Sequence, residues 1–543
     1  MYPLEELRDN VPGKGENVKM KTGKMTKMKR TAAILMAVVV ALTPGACGKT
    51  KSNNDKSAHN GGKEVEISYW NSGLGTDFMD EMIKAFNEKQ SDWYVFYNAT
   101  ASSSAVTSTY LLDDVNTIDL YMSNTIYDTS MMATLDDLLD STADGDSVTL
   151  REKFYPSYLE YEKASDGHYY SLTWGGGVIG IVYNKKLFEK AGIKETPRTT
   201  DELVTVCDKL LEAGVTPLTH YTGDDGESYW LYIEDLWQAQ YDGMDYYRNN
   251  FYACKDQDGN SPSKDVLTAK DGRYQVLKAM EKFITPEYVL AGSNSQDHIT
   301  MQTLFLNQDI GMMANGSWLS NEMKGTGSVE DYGVMKTPVI SSITDKLTTV
   351  KGDTALRKLI SAIDDVTDGK ADIHNYQSED GYLIDGNKVS AKDWEYVAAA
   401  RNSTAITYPA QTCFIPSYSD SVDGAKEFLK FFFSDEGYKI FTDNLHIALP
   451  MSASAGRVNT GEWNSFEIEM QNLLENADAL VSRYSRNMHN IFIDGGAKPY
   501  AGYNFVALFC SNNVSDRVTA DEAWDEIIKK IDGNYANWLA NLK

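Results

Sequence analysis

The chain has 543 residues, 42% of them hydrophobic, with 78 acidic against 51 basic side chains and a net charge of −27. That charge repels nucleic acid and anionic lipid, so no nucleic-acid partner is expected. The length points to two or more folding units, with material for sizeable cores.

In chain order, a basic run at 19–30 leads into an apolar run at 31–42 and then Cys47. This is the order of an export signal. The apolar run is far short of the roughly 20 residues that a spanning helix needs. Gly45-Ala46 lead directly into Cys47 and a polar stretch, which resembles a bacterial lipoprotein signal, where the cysteine is lipidated and becomes the first mature residue. A plain secretory signal with an incidental cysteine is the alternative, and Pro44 stands where such signals usually carry a small or aliphatic residue. Met20, Met25 and Met28 lie nearer the apolar run than Met1, and each is a candidate start. Residues 1–46 hold 8 basic and 4 acidic side chains, so their removal takes the net charge from −27 to −31.

Residues 47–62 are Ser, Asn, Lys, Gly and Asp without apolar period, the composition of a flexible tether. Val65, Ile67 and Tyr69 then alternate as in a strand. Thr76 is placed to cap a helix carrying Phe78, Met79, Met82, Ile83 and Phe86. Strands are expected at 93–97 and 118–122, with a Ser/Thr-rich segment between them. Such alternation argues for an α/β domain that binds at the carboxyl ends of its strands. From Tyr169 the chain runs through Trp174 and Gly175-Gly176-Gly177 into a strand at 178–184. A helix at 185–191 ends at Gly192, and Thr199 with Glu202 makes a capping box for the next helix, to Gly214. Further on come a strand at 310–313 and the turn Asn315-Gly316-Ser317-Trp318. A polar segment at 341–412 holds expected helices at 354–364 and 391–400. The C-terminal part reads as helices at 425–433, 437–443, 466–474 and 521–542.

Several chemical motifs fail on inspection. Gly175, Gly177 and Gly180 satisfy G-x-G-x-x-G, but the fingerprint must open a helix, and here a strand continues. Asp256 to Asn260 begins like a calcium loop, yet Ser261 replaces the required glycine. Cys207, Cys254, Cys413 and Cys510 form no CxxC pair and are expected as buried free thiols, although two disulfides are possible outside the cell. No metal or other cofactor is expected, and no catalytic group stands out.

The run Tyr183-Asn184-Lys185-Lys186-Leu187-Phe188-Glu189-Lys190-Ala191-Gly192-Ile193, with Thr196-Pro197-Arg198-Thr199 and Gly214-Val215-Thr216-Pro217-Leu218, resembles the family 1 extracellular solute-binding proteins of ABC importers. This group includes the maltodextrin-binding protein. Further matching segments lie at 66–90, 118–120, 312–318, 415–416 and 425–437. Asp119 lacks the proline that commonly precedes it in the family, and 341–412 is longer than in the simplest members. The resemblance implies a type II periplasmic-binding-protein-like α/β fold, with two discontinuous lobes that close on a ligand by hinge motion. Lobe 1 is expected from 63–172 with 340–450, and lobe 2 from 173–339 with 451–543, with crossings near Leu172, Thr337 and Pro450. The function implied is a lipid-anchored monomer that binds a carbohydrate and delivers it to an ABC permease at the extracellular face of the membrane. A surface carbohydrate-active enzyme and a receptor for a non-sugar solute are the alternatives.

Sugars offer flat C–H faces and rings of hydroxyls, so the site needs aromatic platforms and a few fixed polar groups. Trp318 leads the candidates, because the family places a stacking aromatic there. Trp70 and Asn71 end the first strand, Ser123 and Asn124 the third. Trp174 and Gly175 stand at the first crossing. Asp225, Glu227 and Trp230 belong to a loop rich in carboxylates and aromatics. Core packing is the competing role for Trp70, Trp174 and Trp318, and a solvated loop for the two acids.

Overall fold

A computed structural model describes residues 59–542 except 72–73, 101–106, 108, 110, 113–115, 223–227, 325–328, 455–459, 484 and 499. The expected signal at 1–46, Cys47, most of the tether, Asp225 and Glu227 lie outside the described residues.

Strand β1 (Lys63–Trp70) forms where expected, with Val65, Ile67 and Tyr69 buried. It pairs in parallel with β2 (Trp93–Thr100) and with β3 (Leu120–Asn124). β4 (Leu172–Gly175) and β13 (Gln411–Phe414) complete the first sheet, in the order β2-β1-β3-β13-β4. Helix Asp77–Lys89 buries the five apolar residues that the period selected. Thr76 holds its N-cap position but makes no capping bond, because its hydroxyl engages Tyr97 instead.

The second sheet runs β14-β12-β5-β7-β6, with β8 also on β5. Its strands are β5 (Val178–Asn184), β6 (Thr216–Thr219), β7 (Ile310–Gly316), β8 (Tyr332–Met335), β12 (Ser403–Ile406) and β14 (Ala479–Ser482). β5 passes straight through Gly180, where a Cβ would stand 2.5 Å from Val334, so this glycine serves strand packing rather than a phosphate loop. Asn184 caps helix Lys185–Lys190, and Thr199 caps Thr200–Glu212 through the Glu202 amide. The Glu202 carboxylate reaches the Arg198 amide at 2.7 Å, so the reciprocal half of the expected box lands one residue early.

Three crossings join the sheets. The first, after β4, lies near the expected Leu172. The second differs: the chain stays with the second sheet past Thr337 and returns only between β12 and β13. The reason is the packing of 340–406. Helix Asp353–Thr367 buries Leu356, Leu359, Ile360 and Ile363 in the core beneath the second sheet, and the Trp237 indole donates to the Pro338 carbonyl at 2.8 Å. β12 pairs with both β5 and β14, which fixes its sheet. A small unexpected sheet, β9 (Gln377–Ser378), β10 (Gly381–Ile384) and β11 (Asn387–Val389), sits within this segment. The third crossing follows Met451, which bridges to Phe154, and leads to helix Ser465–Glu475. There Glu469 takes the Val334 amide at 2.9 Å and pins the helix to the second sheet. Helices Val422–Phe432, Asp435–Leu445 and Ala520–Ala540 stand within a few residues of expectation.

Cys207, Cys254, Cys413 and Cys510 are buried free thiols, and burial pushes their pKa values up, to about 11 for Cys254 and about 12 for Cys510.

Candidate functional site

The carboxyl end of β1 and the end of β7 face one cleft, with the first two crossings at its base. Its cavity measures about 690 Å³, inside the range of small-molecule sites. The end of β1 supplies Trp70, the residue after it Asn71, and the turn after β7 supplies Trp318. Gly176, Thr407, Ala410 and Gln411 come from the crossings.

The base of the cleft is tightly built. The Gly177 amide donates to Thr407 Oγ1 at 2.9 Å, and the Thr407 amide donates to the Gly177 carbonyl at 3.0 Å, so the two crossings run as a bonded pair. Gly176 sits at φ +113°, where a Cβ would also meet Thr407 Oγ1 at 2.8 Å. Both constraints select glycine.

Trp318 lies across Gly316, where a Cβ would fall 2.3 Å from the indole ring. Its other neighbour is Tyr229, edge-on at 5.4 Å, and the contact continues through Tyr221 at 4.9 Å to His298 at 6.0 Å. These edge-to-face steps make an aromatic wall of preferred geometry. Burial pushes the Tyr229 hydroxyl pKa up, with the Glu322 charge adding and hydrogen bonds with Trp318 and Tyr221 opposing. Glu322 ends the short helix Leu319–Glu322 and accepts from Gln302 Nε2 at 2.9 Å. Burial raises its carboxyl pKa, while that hydrogen bond and nearby His298 act the other way. Asn321, on the same turn, donates its amide to the Leu445 carbonyl.

Of the expected residues, Trp70, Asn71 and Trp318 line the cleft together. Gly175 lies beneath its surface: a Cβ there would come 2.1 Å from Gln411 Oε1, so the glycine makes room for Gln411. Asn124 is half-buried opposite Gln411 in the β3–β13 register. Ser123 is buried, its hydroxyl 3.1 Å from that of Thr107. Trp174 and Trp230 are corrections. Trp174 is fully buried against Tyr69 at 5.3 Å, because all four residues of β4 are covered and the indole joins the first sheet's core. Trp230 stacks on Trp237 at 6.5 Å and packs at a tilt against Phe283 at 5.6 Å, inside the second lobe. Both indoles were wanted at the cleft by proximity in sequence, but each faces the core.

Sequence reading missed Tyr229, Tyr232, His298, Glu322 and Gln411. A signal existed for the tyrosines. Helix Trp230–Asp242 turns Trp230, Ile233 and Trp237 inward. Residues Tyr229 and Tyr232, three apart, then share another face. Among the described residues, no group of three or more His, Cys, Asp or Glu could hold a metal ion, and no helix is long and apolar enough to cross a membrane.

Two open α/β lobes joined by three crossings around a cleft define a two-lobed binding protein. The family described as bacterial extracellular solute-binding protein matches residues 72–439, and the chain belongs to it. A binding protein of Brucella abortus is 29% identical over 175 residues, which are 32% of this chain and 38% of that relative; the chain thus spans well under half of its length. An ABC transporter extracellular-binding protein of Pyrococcus horikoshii is 22% identical over 56% of this chain and 67% of its own. The maltose-bound MalE3 of T. maritima has the same fold, with a TM-score of 0.55 and 16% identity over 87% of this chain and 99% of that one.

Proposed function

We propose that the protein captures a carbohydrate in the interlobe cleft, outside the cell, and hands it to the permease of an ABC importer. The observation that carries this reading is the pairing of two indoles, Trp70 and Trp318, with the amides of Asn71, Asn321 and Gln411 around one cleft. Indole faces suit the C–H faces of sugar rings, and fixed amides suit their hydroxyls. Membership of the solute-binding family and the fold shared with a maltose-bound protein support it. We infer that 63–175 with 411–454 move as one lobe and 178–406 with 465–542 as the other, flexing at the paired crossings. The protein acts as a monomer, binding without chemistry.

A thermal-unfolding screen over mono- and oligosaccharides tests the reading. A true ligand stabilises by about 2.7 kcal/mol at a hundred times its dissociation constant. The bound glycan should be recovered intact. No shift with any sugar sinks the carbohydrate reading, and turnover sinks the binding-only one.

Cys47 is the proposed anchor. Two acyl chains hold a protein at a membrane where one holds weakly. Cys47→Ala should therefore move the protein from the membrane to the soluble fraction while it keeps its ligand response. Retention on the membrane would rule out this anchor.

A further inference from the structure

The cleft is uneven in charge. Among the described residues that line it, Glu322 is the one acid, His298 is the one imidazole, and none is Lys or Arg. The carboxylate is held in place: Gln302, itself fully buried, donates to one of its oxygens at 2.9 Å. Burial raises the carboxyl pKa, with the Gln302 hydrogen bond and the nearby His298 opposing. Around it stand aromatic side chains. Glu322 lies close enough to Tyr229 to perturb its hydroxyl, and Tyr229 contacts Trp318 edge-on. Trp70 and Tyr232 complete the aromatic lining. Aromatic faces carry negative potential, so they attract cations and repel anions, as the carboxylate does. In a partly desolvated cleft these two sources add.

We propose that Glu322 makes this cleft a charge filter, which rejects sugars bearing carboxylate or phosphate groups and binds an amine-bearing sugar most tightly, with its ammonium group between Glu322 and the Tyr229–Trp318 wall. The proposal rests on the carbohydrate reading and narrows it to a ligand class. A neutral hydroxyl also donates to a carboxylate, so neutral sugars remain ligands. An ammonium group adds a second charge to the same hydrogen bond and makes it an ion pair, whose attraction is strengthened where the cleft excludes water.

The test uses the purified protein and two matched series, measured by titration calorimetry and thermal shift. One series is glucose, glucosamine and glucuronate. The other is tri-N-acetylchitotriose, its fully deacetylated trimer and trigalacturonate. The amine member should bind roughly tenfold tighter than its neutral partner and lose that advantage in high salt, and the uronate should bind at least tenfold weaker. Glu322→Gln keeps the shape and the Gln302 neighbour while removing the charge. It should bring the three members of a series within about threefold of one another, the amine losing most, the neutral sugar losing only what its hydroxyl gains from the carboxylate's charge, and the uronate gaining. Neutral binding without amine preference or uronate penalty overturns the filter and leaves the carbohydrate reading standing. So does an amine preference that survives in Glu322→Gln. Stabilisation by amines with none by neutral sugars supports the filter and confines the carbohydrate reading to amino sugars. If no member of either series binds while another sugar of the screen does, the filter falls and the carbohydrate reading stands; if no sugar of any kind binds, both fall.

Discussion

Trp318→Ala should weaken the binding of the best carbohydrate ligand by 30-fold or more, about 2 kcal/mol, the loss typical of a central aromatic anchor. The expectation follows from how the ring is held. Gly316 leaves room for the indole to lie over the end of β7, and Tyr229 braces it edge-on at 5.4 Å. The ring is therefore fixed before ligand arrives, and little is lost in ordering it on binding. Trp318→Phe should recover part of the loss, because a smaller plane in the same place still stacks. The control is Trp230→Ala. Trp230 is 1% exposed among Trp237 and Phe283, so its truncation should lower stability by about 3–5 kcal/mol through the cavity left behind. Calorimetry on whatever Trp230→Ala protein stays folded should give a nearly unchanged dissociation constant. Unchanged affinity in Trp318→Ala would remove the indole from the site.

What was legible in the chain divides by the range of the interaction that fixes it. Strands and helices with a strong local period came through, as with the alternation of Val65, Ile67 and Tyr69 or the helical spacing from Phe78 to Phe86. That Trp70, Asn71 and Trp318 stand at the cleft was legible, because they lie at the end of β1 and in the turn after β7, and α/β sheets open their clefts at such strand ends. The places of Trp174 and Trp230 were not, because neighbours in sequence cannot say which side of a strand or helix a lone indole takes. That choice is made by Tyr69, Trp237 and Phe283, the last 53 residues downstream of Trp230. Glu322 and His298 were invisible for the same reason: their meeting at the cleft depends on where β7 and two helices come together. The return crossing was misplaced at Thr337 because a polar, Asp-rich segment gives no sign of its sheet. Only the pairing of β12 with β5 and β14 settles it.

Lys153→Met should be among the most destabilising single substitutions in the first lobe, lowering stability by about 3–5 kcal/mol, as expected when a buried ion pair loses one partner. The Lys153 side chain is fully buried. Its ammonium group donates to Asp146 at 2.7 Å, to Asp435 at 2.8 Å and to the Phe433 carbonyl at 2.8 Å, so all three of its protons are used. The cluster ties the turn before helix Leu150–Lys153 to the start of helix Asp435–Leu445, where the Asp435 amide also donates to Asp146 at 3.0 Å. Methionine fills the volume but leaves the Asp146 carboxylate, 1% exposed, without its cation. Acid titration separates this explanation from simple misfit. The Asp435 pKa lies below the usual carboxylate value: burial opposes the shift, but the hydrogen bond from Lys153 and the Ser454 amide outweigh it. A depressed folded pKa contributes stability that is present above the unfolded value, about 3.9, and is lost as pH falls through the folded one. The parent protein should therefore weaken on the acid side. Without the lysine, protonation relieves an uncompensated charge, so the gap between Lys153→Met and the parent should shrink as pH falls from 7 toward 4. A gap that stays constant over that range, followed by denaturant unfolding, would mean that packing rather than charge sets the loss.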